Sequence, residues 1–183
     1  MLTIITPCCR QANLKYLHAS IDFDKIDKWI IVYDTSKDRS YTKLYKNTPK
    51  ILEVECNIVG AAGHPQRNFG MLFVNDGYIY FLDDDNIIHP NFWTIAQAAD
   101  NEKFYTFSQL RDKKKGSVLD GNTIKVGSID TAMFLFHKRH VGSIRWIENL
   151  YEADGYFICA IDAANKGSHV FINSIACYYN YLV

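Results

Sequence analysis

The sequence lacks several features that would direct it to a charged partner or into a membrane. Its 20 Lys and Arg residues balance 20 Asp and Glu residues, so no excess charge draws the chain to nucleic acid or to an anionic membrane. No apolar run approaches the roughly 20 residues that a membrane-spanning helix needs. Residues 1–7 have no basic segment and predict a first β-strand instead of a signal peptide.

Cysteine patterns typical of disulfide frameworks or zinc sites are also missing. The five cysteines are an odd count, and no Cys-x-x-Cys pair or His/Cys metal spacing occurs. We therefore expect reduced thiols and a cytoplasmic location. The sequence contains no repeat, low-complexity tract or linker, and its 183 residues, 48% of them hydrophobic, fit one globular domain.

The most informative stretch is Tyr78–Asn86, where five apolar or aromatic residues run directly into three carboxylates. The apolar run predicts a buried strand. The strand should end near Asp83, because desolvating three unpaired charges is too costly. In an extended chain Asp83 and Asp85 point to one side and Asp84 to the other, where it faces away or braces a neighbour. Two carboxylates at a strand end suit a divalent cation.

Strand and helix patterns alternate along the first hundred residues. Strands are predicted over residues 2–6, 28–33, 51–56 and 78–82, and helices over 10–21, 66–74 and 91–99. The alternation predicts a parallel sheet, whose ligands bind beyond the carboxyl ends of its strands. Thr6-Pro7, which should stop the first strand, Asp34 and the acids of 83–85 are therefore expected on one edge. The helix over 66–74 should turn Phe69, Leu72 and Phe73 inward.

The second half of the chain predicts more strands and a mixed sheet. The predicted elements are a strand over 103–108, a hairpin of 117–119 with 123–126, an apolar run over 131–136, a helix over 151–165 and one or two strands over 170–181. The charged segment 111–115 predicts a solvated loop, with closure over a phosphate as the alternative. Together the two halves predict a single α/β domain with a mixed, mostly parallel central sheet flanked by helices.

The order of these motifs resembles that of GT-A fold glycosyltransferases of the family 2 type. The matching elements are the Thr6-Pro7 break, Asp34 after the second strand, Arg67-Asn68 at a helix start, the Asp-x-Asp motif of 83–85 and Pro90-Asn91-Phe92. The match covers about the first hundred residues, and Glu152–Gly155 is similar to the acidic acceptor-side motif. The resemblance implies a Rossmann-like GT-A domain over 1–183, with a nucleotide-sugar half (about 1–100) and an acceptor half (about 101–183). Compact relatives include virus-encoded and bacterial surface-glycan enzymes.

The resemblance also implies a reaction and a set of ligands. The reaction is metal-dependent transfer of a sugar from a nucleoside-diphosphate sugar, such as a UDP-sugar, to a hydroxyl of a glycan or glycoprotein acceptor. The donor would be bound by Thr6, Pro7, Asp34, Arg67, Asp83 and Asp84. Mn²⁺ or Mg²⁺ would be held by Asp85 and Asp83, with His169 as a third ligand.

Asp154 is the candidate general base. It precedes Phe157 and Ile158 by three and four residues, so it shares their inward helix face. A base there would take the proton of the acceptor hydroxyl and give inversion at the anomeric carbon. Glu152 is the alternative base, and a carboxylate that only favours the helix start is the structural alternative. Asp130 is a candidate contact to sugar or acceptor, or else a loop acid.

Two other functions are compatible with an acidic α/β edge. A sugar-phosphate nucleotidyltransferase usually carries a glycine-rich loop after its first strand, which residues 7–11 lack. A non-catalytic module that binds a nucleotide or sugar would need no general base.

Overall fold

The computed structural model describes residues 1–36, 39–112 and 116–182, which form one mixed sheet with helices on both faces. The strands are β1 (Leu2–Cys8), β2 (Lys28–Asp34), β3 (Ile51–Cys56), β4 (Tyr78–Phe81), β5 (Ile87–Ile88), β6 (Phe104–Asp112), β7 (Ser117–Leu119), β8 (Phe134–His137) and β9 (His169–Tyr178). The helices are α1 (Leu14–Ser20), α2 (His64–Met71), α3 (Asn91–Ala98) and α4 (Ala153–Ala164).

The strand order is β3-β2-β1-β4-β8-β6-β9-β5, with β7 paired to β6. The chain moves outward from β1 through β2 to β3 in parallel pairs, then returns to place β4 on the other side of β1. This reversal puts a topological switch point between the carboxyl ends of β1 and β4, where ligands of open α/β sheets bind. Beyond β4 the sheet becomes mixed, because β8 pairs antiparallel to both β4 and β6.

Two apolar cores lie on opposite faces of the sheet. Along β1 and β2, neighbouring residues alternate between them: Ile4 and Ile31 belong to one core, and Ile5 and Ile30 to the other. The first core packs against α1 and α3, and the second against α2 and α4. The central strands read as continuous apolar runs because both of their faces are buried. Each fully buried aliphatic or aromatic side chain contributes roughly 1.5–3 kcal/mol.

Several element predictions need correction. The strand β1 does not stop at Thr6-Pro7 but continues to Cys8; its pairing with β4 ends at Ile5, so Pro7 can lack an N–H there. Helix α2 ends at Met71, which leaves the predicted inward residues Leu72 and Phe73 exposed at 65% and 37%.

The predicted hairpin of 117–119 with 123–126 is also wrong. Residues 117–119 pair instead with the end of a longer β6, through Gln109 opposite Leu119 and Leu110 opposite Val118. Residues 113–115, which carry most of the charged segment, lie outside the described residues. The apolar run 131–136 begins with a 3-10 turn, and the last predicted strand or strands form the single strand β9.

All five cysteines, each in a described part of the chain, are free thiols, as predicted. Across residues 1–36, 39–112 and 116–182, no helix has the length and apolar character to span a bilayer.

Candidate functional site

The polar strand ends meet in one cleft of about 560 Å³ at the carboxyl edge of β1, β2 and β4. Its acidic lining residues are Asp34, Asp83, Asp84, Asp85, Asp130, Glu152 and Asp154. Its arginines are Arg10, Arg39, Arg67 and Arg111. The structure thus brings the acids of the first half of the sequence into the same cleft as those of the second half.

Asp84 joins the ends of β1 and β4. Its Oδ2 accepts hydrogen bonds from the backbone N–H groups of Cys9 at 2.7 Å and Arg10 at 2.6 Å, and its Oδ1 accepts from Arg10 Nη1 at 2.6 Å. Asn13 Nδ2 donates to the Asp84 carbonyl at 3.0 Å. The Asp84 carboxylate is only 3% exposed, and these donors occupy both of its oxygens. Asp84 therefore connects the ends of the two strands, which is the bracing role that the sequence offered besides a nucleotide contact.

Arg67 is a buried cation that holds Asp83. Its Nη2 donates to Asp83 Oδ1, and its Nη1 donates to the Ala62 carbonyl at 2.7 Å. The guanidinium also lies over the Trp146 ring, 4.9 Å from its centroid. Since Arg67 is only 2% exposed, its orientation is determined by packing as well as by charge. No local sequence pattern indicates the contact between Arg67 and the Trp146 ring.

His64 fixes the other side of the Arg67 guanidinium. Its Nδ1 accepts from Arg67 Nη1 at 3.0 Å, so its Nε2 carries the hydrogen and faces the Tyr151 carbonyl at 3.4 Å. Burial, and then the charge of Arg67, lowers the pKa of His64 to about 4, so the imidazole is neutral at pH 7. His64 also stacks on Trp146, with ring centroids 5.1 Å apart.

The loop before α2 is brought against β1 by a glycine. Gly63 caps α2 with φ of 79°, a left-handed conformation that favours glycine. A Cβ at this position would lie 2.8 Å from Pro7 Cβ, so a larger residue would push the loop off the strand. Pro65 occupies the first turn of α2, as predicted. This close approach places Arg67 beside the ends of β1 and β4.

Among Asp83, Asp84 and Asp85, Asp85 has the weakest pairing with a positive charge. Its Oδ2 accepts from Arg10 Nη1 at 2.8 Å, but that group is shared with Asp84. Burial and the charge of Asp83 together raise the pKa of Asp85 to about 6, although Arg10 lowers it. A cation between Asp83 and Asp85 would relieve this repulsion.

The donor set fits a hard cation that is only partly ligated by protein. No group of three or more His, Cys, Asp or Glu within the described ranges is arranged to hold a metal ion. Mg²⁺ typically takes one or two carboxylates and completes its shell with water and substrate phosphates. Asp83 and Asp85 therefore suit an ion that arrives together with a diphosphate.

Asp34 lies at the end of β2 and lines the cleft. Its Oδ1 accepts from the backbone N–H of Ser36 at 3.0 Å and from Ser36 Oγ at 2.5 Å, which is an Asx turn. Arg39 Nη1 lies 3.3 Å from its Oδ2. Asp34 therefore ends β2 in a turn and also occupies its predicted place at the edge of the sheet.

Asp154 lies in the first turn of α4 and Glu152 at its N-cap, both facing the cleft. Burial raises the pKa of Asp154, while the N–H of Gly155, 2.7 Å from Asp154 Oδ1, and the charge of Arg67 lower it. A Cβ on Gly155 would lie 2.6 Å from Val126 Cα, so α4 packs closely on the loop that leads to Asp130. Glu152 is exposed and makes no capping hydrogen bond.

Two predicted site residues do not reach the cleft. Thr6 is fully buried, and its Oγ1 accepts from Trp29 Nε1 at 2.9 Å, because alternation along β1 turns Pro7 toward the cleft instead.

His169 begins β9, which runs parallel to β6 and therefore to β4, so it lies at the amino edge of the sheet. It contacts Thr106 Oγ1 at 2.7 Å and stacks on Phe104. The expectation of His169 as a third metal ligand is corrected. It is the carboxyl end of β9, at Tyr179 and Asn180, that lines the cleft.

Arg10 is the cleft residue that sequence reasoning missed most clearly. Its only local signal is a cation two residues after the end of a strand, and such residues are common on surfaces. Its importance depends on β4 lying beside β1, which brings Asp84 and Asp85 to it from more than 70 residues away. Arg111, Tyr151 and Tyr179 enter the cleft in the same long-range way.

The sheet order and the cleft at its switch point define an α/β domain of the GT-A type, which confirms the predicted fold. Among solved structures, the chain is similar to S. aureus TarS 1–349, with a TM-score of 0.70 and 16% identity over 97% of this chain and 59% of that one. A longer S. aureus TarS structure matches with a TM-score of 0.71 and 14% identity, over 97% of this chain and 36% of that one. S. aureus TarS 1–349 in complex with UDP-GlcNAc matches with a TM-score of 0.70 and 14% identity, over 97% of this chain and 57% of that one.

At these identities the likeness establishes the fold alone. The chain spans about three fifths of TarS 1–349 and just over a third of the longer TarS. No protein-family model and no curated protein sequence matches the chain.

Proposed function

We propose that this chain is a glycosyltransferase that moves a sugar from a UDP-linked donor to an acceptor hydroxyl with inversion. The observation that carries the proposal is the convergence of Asp83 and Asp85, the buried Arg67 and the helix-start acid Asp154 on one cleft at the switch point of the sheet. The UDP-GlcNAc complex of a protein with the same fold supports the choice of donor class.

Each end of the cleft has a separate task in this proposal. Pro7 and Asp34, at the ends of β1 and β2, would contact the nucleoside. Arg67 holds Asp83 in one orientation, next to where the diphosphate would bind. Mn²⁺ or Mg²⁺, held by Asp83 and Asp85, would offset the charge of the leaving diphosphate.

Asp154 would act as the base on the acceptor side. Burial raises its pKa, which makes it a better proton acceptor than an exposed aspartate, while Arg67 and the Gly155 N–H limit that rise. The acceptor hydroxyl would lose its proton to Asp154 as its oxygen attacks the anomeric carbon and the diphosphate leaves.

A thermal-shift experiment tests donor and metal binding. UDP with Mn²⁺ should raise the Tm by several degrees, and EDTA should remove most of that gain, because the free cleft holds an excess of acids over arginines. The proposal is contradicted if neither UDP nor another nucleoside diphosphate gives a metal-dependent gain.

Turnover tests the enzymatic part of the proposal. Release of UDP from a panel of UDP-sugars should fall by at least about 10²-fold in Asp85→Ala. Asp24→Ala, an exposed acid before β2 at the opposite edge of the sheet, is the matched control and should keep wild-type turnover. Wild-type turnover in Asp85→Ala would remove that residue from the reaction.

A further inference from the structure

The Arg10 side chain is paired with Asp85, one of the two acids that the proposed function assigns to a metal ion. Its Nη1 donates to Asp85 Oδ2 at 2.8 Å and to Asp84 Oδ1 at 2.6 Å, so one nitrogen bridges two adjacent carboxylates. A divalent cation on the Asp85 carboxylate would have to displace this guanidinium or lie beside it. Two positive charges at such short range repel each other strongly, so Arg10 opposes metal binding in the free protein.

The two carboxylates depend on the Arg10 side chain to different degrees. Asp84 is buried and also accepts from the backbone N–H groups of Cys9 at 2.7 Å and Arg10 at 2.6 Å. Among the described residues, the shared Nη1 group is the one cationic partner of Asp85. Withdrawal of the Arg10 side chain would therefore leave Asp84 in place and leave Asp85 with a charge that a metal ion can neutralise.

The Arg10 side chain can move while its backbone stays fixed. The N–H groups of Cys9 and Arg10, which donate to Asp84, hold the main chain against the end of β4. The side chain itself is 48% exposed and lines the open cleft. Because solvent screens an ion pair this exposed, breaking the contact with Asp85 costs little.

A diphosphate is the anion that suits a displaced Arg10. Both contacts to the acids use Nη1, and among the described residues neither Nη2 nor Nε of Arg10 has a hydrogen-bond partner. The planar guanidinium presents its donors as a fork, which matches the paired oxygens of a phosphate group. Arg67, by contrast, is buried and bound to Asp83 and to the Ala62 carbonyl, so it has less freedom to change partners.

We propose that Arg10 is an exchangeable counter-ion of Asp85, which yields that carboxylate to a metal ion when a diphosphate receives the guanidinium. This inference rests on the proposed glycosyltransferase function and deepens it, because it makes metal and nucleotide binding depend on each other. Without nucleotide, a metal ion competes with Arg10 for Asp85 and binds weakly. With nucleotide, Arg10 binds the diphosphate and Asp85 becomes available. Since coupling between two ligands is reciprocal, each should raise the affinity for the other by the same factor.

The test measures the Kd of Mn²⁺ by electron paramagnetic resonance and the Kd of UDP by calorimetry, in wild type and in Arg10→Ala. Without nucleotide, Arg10→Ala should bind Mn²⁺ about 3- to 10-fold more tightly, because the competing cation is gone. With saturating Mn²⁺ it should bind UDP about tenfold or more weakly, because a hydrogen bond between charged groups is lost. The factor by which UDP raises the Mn²⁺ affinity should therefore fall.

Arg39→Ala is the matched control for the loss of one positive charge from the cleft. The Arg39 side chain is 40% exposed and is paired with Asp34 at the end of β2 instead of with Asp85. Its removal should change the Kd of Mn²⁺ alone by less than about twofold. Equal tightening of Mn²⁺ binding in the two variants would show a general effect of charge and overturn the inference.

The other outcomes separate this inference from the proposed function. If Arg10→Ala leaves both constants unchanged, Arg10 only connects the strand ends and the inference is wrong. Weaker binding of Mn²⁺ alone would make Arg10 a support for the metal ligands, and tighter Mn²⁺ binding with unchanged UDP affinity would exclude its exchange onto the diphosphate; each result overturns the inference. In these cases wild type still binds UDP with Mn²⁺, so the proposed function stands. If wild type shows no metal-dependent binding of UDP, both proposals are wrong.

Discussion

The carboxylates on the two facing walls of the cleft differ in their hydrogen-bond and ion-pair partners. On the wall built from β1, β4 and α2, Asp83 is paired with the buried Arg67, and Asp84 receives three hydrogen bonds from Cys9 and Arg10. Asp85 is the exception on this wall, because it shares Arg10 with Asp84 and its pKa is raised to about 6. On the facing wall, Asp130 and Asp154 are held partly buried by the loop before β8 and the start of α4, and burial raises the pKa of both.

The difference separates positioning from chemistry. A carboxylate neutralised by an arginine stays ionised and in one place, which suits the binding of a cation or diphosphate. A carboxyl group without such a partner destabilises the fold when it ionises, but it can exchange a proton near neutral pH. A cleft acid whose ionisation destabilises the folded protein is therefore a candidate for direct contact with the substrate.

The largest effect expected on the acceptor wall is that of Asp154→Asn. Removing a general base typically lowers kcat by about 10²- to 10⁴-fold, and UDP affinity should not change. Glu152→Gln serves as the comparison and should lose much less, because Glu152 is exposed. A severe loss in Glu152→Gln with near-normal kcat in Asp154→Asn would move the base to Glu152.

On the opposite wall, Arg67→Ala should mainly lower stability. The substitution leaves Asp83 and the Nδ1 of His64 without their donor, and breaking such a buried pair costs about 3 kcal/mol or more. Urea denaturation measures this loss. Arg39→Ala removes an exposed partner of Asp34 and should change the free energy of unfolding far less, because solvent screens that ion pair. Equal losses in the two variants would show that burial of Arg67 adds nothing.

Asp130→Asn should instead stabilise the free protein at alkaline pH. The pKa of Asp130 is raised from an ordinary value of 3.8 to about 7. Its charged form is disfavoured in the folded state, so the penalty is full above pH 7 and disappears as the pH falls toward 4. We expect the variant to melt about 4–8 °C above wild type at pH 8, for a gain of about 2 kcal/mol, and level with it near pH 4. A lower Tm at pH 8 would mean that the acid is structural.

The smallest effect should come from Arg10→Ala. The Arg10 side chain is 48% exposed, and Asp84 keeps the backbone N–H groups of residues 9 and 10 in its absence. The free energy of unfolding should therefore fall by about 1 kcal/mol or less in urea denaturation. If the free energy of unfolding fell as much as in Arg67→Ala, the exposed Arg10 and the buried Arg67 would contribute equally, and the expected difference would be wrong.

Local patterns predicted the first half of the molecule well because its strands are buried on both faces. Tyr78–Phe81 has to be a buried strand whatever lies beside it, and three adjacent acids have to end that burial. The parallel edge then brings Asp34 near the triplet. The second half was predicted less well: residues 117–119 pair with a strand whose extension depends on its neighbours, and a short apolar segment does not specify its partner.

The sequence by itself determined the α/β class, the buried strand that leads into Asp83, and the helix face that carries Asp154, since each follows from periodicity or from the cost of burying charge. Only the tertiary structure decided which acids are neutralised. Because of the direction of β9, His169 lies at the opposite edge of the sheet. Because side chains alternate along β1, Thr6 lies in the core. Because β4 lies beside β1, Arg10 contacts Asp84 and Asp85. Ion pairs between residues distant in sequence depend on strand order, which no local pattern encodes.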